Sequence, residues 1–211
     1  MPAAVLVSGA GTNLGALLDA AGRPGFPARI ALVVSNRPSA GALSIARERG
    51  VEAVAMPVSA FGGDAAARDL AMRDLLLRSG VRLVVCAGYD RVLDRRLLEA
   101  FPDAILNLHP SLLPAFGGGM HAVEEALEAG VRVSGCTVHL VVPGAPDGGP
   151  IVLQAAVPVL DGDDAARLCA RIHEQEWRLL PEAVALWCEG RLRRVGRRVR
   201  ILPVAVGQPG R

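Results

Sequence analysis

Val5-Leu6-Val7-Ser8-Gly9-Ala10-Gly11-Thr12-Asn13-Leu14 reads as an apolar strand that breaks on two glycines and restarts as a helix. A strand-to-helix turn of this kind leaves backbone N–H groups and the positive end of the helix facing outward, where an anion can sit. It stops short of a dinucleotide fingerprint. GxGxxG would need glycine where Leu14 stands, and the second strand ends in Ser35-Asn36-Arg37 without a ribose-binding acid. A single phosphate fits better, although the same glycines also suit a purely structural tight turn.

Outward from this turn, short β-branched runs alternate with Ala-, Leu- and Arg-rich helical stretches. Strands are expected at 3–7, 29–35, 54–56, 83–86 and 104–108, and helices at 14–21, 42–49, 65–78 and 95–100, with Gly22, Gly50 and Gly80 where helices stop. The pattern predicts an α/β chain: an open, mostly parallel, Rossmann-like sheet with helices on both faces and ligands beyond the carboxyl ends of the strands. After 108 the rhythm changes to a Pro- and Gly-rich loop (110–119), a helix at 121–129 and β segments at 133–142 and 151–159. A long helix at 164–189 follows, with Asp161, Asp163 and Asp164 forming an acidic first turn, and a hairpin at 191–206 closes the chain. Residues 1–190 are expected to form one domain, with 191–211 an extension packed on it.

Composition narrows the functions. The 211 residues are 51% hydrophobic with a net charge of +2, which excludes a disordered chain, and the apolar runs are strand-length, so no membrane span is expected. The start lacks a basic n-region, so a cytoplasmic location is expected. Every one of the 23 basic residues is Arg, which excludes Schiff-base catalysis and a Walker-type loop. Cys86, Cys136, Cys169 and Cys188 are too far apart for a zinc knuckle or a redox pair and read as buried free thiols; no metal is expected. Six arginines between Arg191 and Arg200 invite a nucleic-acid reading, but 3% aromatic residues leave few stacking platforms, so a solvated hairpin is expected and no nucleic-acid partner.

Three further groups could carry chemistry. Asn107 and His109 alternate on one face of the fifth strand at its carboxyl end, and an amide and an imidazole aimed together suit a developing oxyanion. Either residue could instead serve the local backbone. Asp147, in Asp147-Gly148-Gly149-Pro150, is either a turn residue bonding its own backbone or a carboxylate that orients His109 and accepts protons. His173 and Glu176 share a helix face at i, i+3, and Glu176 matters for a ligand only if that face looks back at the glycine loop. His121 opens a helix where it could face a cleft, while His139 alternates with Val138 and Leu140 and is expected at a packing or surface position.

In this order the motifs resemble the glycinamide ribonucleotide transformylase family, whose activity is formyl transfer from 10-formyltetrahydrofolate. The resemblance rests on the glycine loop, Ala87-Gly88-Tyr89-Asp90-Arg91-Val92-Leu93, Asn107-Leu108-His109-Pro110-Ser111-Leu112-Leu113-Pro114, Gly135-Cys136-Thr137-Val138-His139, the 147–154 stretch and Gln175-Glu176. It implies that Gly11, Thr12 and Asn13 hold the ribonucleotide phosphate and that Glu176, with His173, holds the rest of that substrate. Asn107, His109 and Asp147 would be catalytic, and Asp90, Arg91, Val92 and Leu93 would border the folate. A monomer or homodimer acting on these two small molecules is the expectation.

The chain departs from the family pattern at Asp90, where an apolar residue is usual and an acid would alter folate affinity. The segment 60–64 lacks a basic residue, and the loop 116–120 carries three glycines and one extra residue, which predicts mobility. Methionyl-tRNA formyltransferase and formyltetrahydrofolate deformylase share the Asn, His and Asp group, but each adds a domain for which this chain has no expected room. A nicotinamide oxidoreductase is disfavoured by the broken fingerprint, and a non-catalytic nucleotide-binding protein is the remaining rival.

Overall fold

A computed structural model describes residues 1–204. The parallel half is β1 (Pro2–Val7), α1 (Thr12–Ala21), β2 (Arg29–Ser35), α2 (Gly41–Glu48), β3 (Glu52–Ala55), α3 (Ala65–Arg78), β4 (Leu83–Cys86), α4 (Arg95–Ala100) and β5 (Ile105–His109). The rest is α5 (Ala122–Glu128), β6 (Val133–Leu140), β7 (Ile151–Pro158), α6 (Ala165–Cys188), β8 (Leu192–Val195) and β9 (Arg198–Ile201). The described strands form one sheet in the order β3-β2-β1-β4-β5-β6-β7-β9-β8. It is parallel from β3 to β5 and antiparallel from β5 to β7.

Alternation along the strands explains the layers. Ala3, Val5 and Val7 of β1 with Leu83 and Val85 of β4 face one way, onto Leu14, Leu17, Leu43, Leu168, Ile172 and Leu180 of α1, α2 and α6. Ala4, Leu6, Val84 and Cys86 face the other way, onto Met72, Leu76 and Leu97 of α3 and α4. Because β1 and β4 are covered on both faces, they read as continuous apolar runs rather than alternating ones. The amino end of β1 lies at the opposite end of the strand from the glycine turn, and Met1 there is exposed, its ammonium donating to the Pro27 carbonyl.

Three expectations are adjusted. β3 begins earlier than its β-branched core and ends at Ala55, although the Met56 N–H still bonds the Ser35 carbonyl before Pro57 turns the chain. No acid lies inside the first turn of α6. Asp164 caps it by accepting the Arg167 N–H at 2.8 Å, while Asp163 stands outside and pairs with Arg171 at 2.9 Å. The terminal hairpin consists of β8 and β9, joined to the sheet through the Ile151–Arg198 pair; its expected end at Val206, and residues 205–211 of the expected extension, lie outside the described residues. Among the described residues no helix is long and apolar enough to cross a membrane.

Candidate active site

The glycine loop is shaped for close approach. Gly11 has φ 91°, and a Cβ there would lie 2.7 Å from Ala42 Cα, so only glycine lets the loop rest on α2. Among the described residues no side chain caps α1, which leaves its first-turn N–H groups available to an anion. Asn13 reaches across to α6 and donates through Nδ2 to Glu176 Oε2 at 2.8 Å, while its Oδ1 is buried without a protein partner. The α6 face therefore does look back at the glycine loop. Glu176 is buried, and burial pushes its carboxyl up against the opposing pull of Asn13 and of His173, whose Nε2 is 3.7 Å away.

At the carboxyl end of β5, Asn107, His109 and Asp147 converge. His109 Nδ1 lies 3.5 Å from Asp147 Oδ2, and Asn107 Nδ2 donates to Asp147 Oδ1 at 3.2 Å. His109 Nε2 is 2.8 Å from the Phe116 carbonyl, and the Gly118 N–H donates to Asp147 Oδ2 at 2.8 Å. The glycine-rich loop thus touches two members of the group through its backbone. Asp147 sits at φ 49° in a turn pressed against β6, where a Cβ on Gly149 would collide with the Leu140 carbonyl oxygen. Hydrogen bonding at His139, the Gly118 N–H and the charge of His109 outweigh burial and bring the Asp147 carboxyl down to about 2.

His139 was expected at a packing or surface position; it is buried and belongs to this group. Its Nε2 is 3.0 Å from Asn107 Nδ2 and 3.5 Å from Asp147 Oδ1, and its Nδ1 is 3.1 Å from the Leu140 carbonyl. With Nδ1–H given to that carbonyl, Nε2 accepts from Asn107 in the neutral ring and donates to Asp147 in the charged one. The missed signal is antiparallel register: pairing β5 with β6 sets His139 directly opposite Asn107.

A cleft of about 950 Å³ unites these groups. Its wall includes Asn13, His173 and Glu176, all four residues of the Asn107 group, and Tyr89 to Leu93. Gly11 and Thr12 shape the turn behind Asn13 and are not among the lining residues, nor is His121, which is exposed at the start of α5. Asp90 does more than border the cleft. It accepts from Asn36 Nδ2 at 2.8 Å, lies 3.0 Å from Ser8 Oγ and pairs with Arg37 and Arg91, so that despite burial its carboxyl is held below the usual range. This ties the 90–93 segment to the ends of β1 and β2.

Cys86, Cys136 and Cys188 are buried as expected, with burial pushing the first two thiols up to about 12. Cys169 is only half-buried and lines the cleft, its Sγ 3.5 Å from His173 Nε2. Among the described residues no group of three or more His, Cys, Asp or Glu side chains is arranged so that it could hold a metal ion.

The family model for formyl transferases matches residues 1–184. The chain belongs to the formyl transferase family. It is 43% identical over 203 residues to the phosphoribosylglycinamide formyltransferase of Mycobacterium tuberculosis, covering 93% of this chain and 92% of that one. It is 40% identical over 190 residues to the enzyme of the same name from Haemophilus influenzae, covering 90% and 88%. The chain spans only 14% of the trifunctional purine biosynthetic protein adenosine-3 of Drosophila pseudoobscura pseudoobscura, at 41% identity. The crystal structure of glycinamide ribonucleotide transformylase 1 from Symbiobacterium toebii superposes with a TM-score of 0.93 at 50% identity, covering 96% of this chain and 94% of that one. The formyl transferase fold is therefore this sheet, and membership implies a folate-derived co-substrate.

Proposed function

We propose that this formyl transferase moves the formyl group of 10-formyltetrahydrofolate onto the amine of glycinamide ribonucleotide, as a cytoplasmic step of purine synthesis. The observation that carries the reading is one cleft holding both the Asn107–His109–Asp147 group and, around Asn13 and Glu176, a glycine loop with an uncapped helix start. The loop and α1 would take the substrate's phosphate, and Glu176 and His173 its other polar groups. The cleft is roomy enough for a pterin, and Val92, Leu93, Val141 and Val142 give it an apolar wall.

The chemistry follows from the contacts. As the substrate amine bonds to the formyl carbon, negative charge gathers on the formyl oxygen, which competes with the Phe116 carbonyl for the Nε2–H of a charged His109. Asn107 has both amide hydrogens directed at His139 and Asp147, so it meets the amine with its carbonyl oxygen and becomes an oxyanion donor when one of those bonds is exchanged. Asp147 keeps the imidazole oriented and takes up, directly or through a water, the proton that the amine sheds. Collapse of the tetrahedral centre breaks its bond to the folate nitrogen, which leaves with a proton.

The test is an assay of the purified protein with glycinamide ribonucleotide and a 10-formylfolate donor, following reduced folate release. Ribonucleotide-dependent release is expected, and His109→Ala should abolish it. Release of formate without ribonucleotide would indicate a deformylase instead, and ribonucleotide binding with no turnover would leave only a binding protein.

A further inference from the structure

Arg68 and Asp69, neighbours on α3, are each only 2% exposed and belong to none of the groups above. Arg68 Nε lies 2.7 Å from Asp69 Oδ1, yet the two are misaligned, and among the described residues neither atom finds a hydrogen bond although both are buried. A buried ion pair stabilises a fold little better than apolar residues of the same volume, so what this pair contributes lies in its remaining contacts. Those contacts converge on one segment. Arg68 Nη1 donates to Tyr89 Oη at 2.8 Å, with the guanidinium 5.9 Å from the ring centroid. Asp69 Oδ2 accepts the Asp94 N–H at 2.7 Å.

Tyr89 and Asp94 bracket residues 90–93, which line the cleft and form neither helix nor strand. Such a segment has no ladder of its own to fix it. Asp90 fastens its first residue toward β1 and β2, and the buried pair fastens both ends toward α3. Asp94 is also the cap of α4, accepting the Arg96 N–H at 2.8 Å, so its backbone position sets where that helix starts.

We propose that Arg68 and Asp69 are positioning residues for the folate side of the cleft, holding the 89–94 segment through the Tyr89 hydroxyl and the Asp94 N–H without touching substrate. The inference rests on the reading that residues 90–93 border the folate. Tyr89→Phe, Arg68→Met and Arg68→Lys test it, through the steady-state constants for both substrates and through amide hydrogen exchange of the ligand-free proteins. Tyr89→Phe and Arg68→Met should raise the folate KM about tenfold, with kcat at saturating donor within about threefold and the ribonucleotide KM within about twofold. Arg68→Lys should recover part of the loss, and the Tyr89→Phe, Arg68→Met double variant should be no worse than Arg68→Met alone. Exchange at 88–94 should quicken about tenfold while α1 and α2 stay unchanged.

An unchanged folate KM with unchanged exchange in Tyr89→Phe would overturn the proposal, as would both KM values rising together. Should Arg68→Met fail to fold, Tyr89→Phe, which removes a single hydroxyl, carries the test. If the unaltered protein transfers no formyl group, the functional reading fails on its own, and the exchange measurement still decides whether the pair holds this wall.

Discussion

Asp147 shows how much one carboxylate can be asked to do. Its two oxygens face His139, His109, the Asn107 amide and the Gly118 N–H, and His139, the Gly118 N–H and the charge of His109 bring its acid from the ordinary 3.8 to about 2. A carboxyl depressed on folding contributes stability that is complete above about pH 4 and is lost as pH falls through 2. Asp147→Asn should therefore lower stability at pH 7 by about 1–2 kcal/mol and flatten the acid limb of the stability curve between about pH 4 and 2, measured by urea unfolding across pH. On the proposed mechanism Asn107→Ala removes an oxyanion donor, and it should cost about a hundredfold or more in kcat while leaving the circular dichroism spectrum unchanged. Strand alternation made legible that Asn107 and His109 share a face at the end of β5, with service to the local backbone as the alternative, and their catalytic role came from the family resemblance. His139 was not legible, because its place depends on which strand lies opposite, and Asp147 was legible only as a choice between a turn residue and a partner of His109, since a distance across the sheet is not written in a linear pattern.

Among the elements, the β6–β7 connection shows why glycine spacing carries function. Gly149 lies flat against the Leu140 carbonyl, and that contact keeps Asp147 over the end of β5. Gly149→Ala must push the turn off β6. A loss of about 2–3 kcal/mol in stability is expected, together with a fall in kcat larger than that of a surface Gly→Ala such as Gly25→Ala, read by thermal unfolding and the formyl-transfer assay. The helices and the parallel strands were legible because their apolar periods differ so clearly, whereas β3 was displaced because Glu52 and Ala53 carry no strand signal and are recruited by pairing with Leu32 and Val33. The glycine-rich loop after β5 read as a mobile insert from its composition. Its backbone contacts with His109 and Asp147 arise from Phe116 at φ 55° and Gly118 at φ 83°, conformations that no periodicity announces.

For the molecule as a whole, the sheet of the described residues ends at β8, and the hairpin answers with charge. Arg193 and Arg200 face each other across β8 and β9, a like-charged pair that costs local stability but discourages a further strand from docking. Replacing both with Thr should stabilise the hairpin while promoting concentration-dependent association, visible by size-exclusion chromatography with light scattering; an unchanged elution profile at high concentration would argue against an edge-guarding role.

The position of Met1 has a practical consequence. Since the sequence holds no lysine, no side-chain amine competes with an amine at Met1, which is exposed about 20 Å along β1 from the glycine turn. A single fluorophore or a sensor surface coupled there would orient every molecule alike, with the cleft turned toward solution, so that candidate ligands can be tested one at a time on unmutated protein.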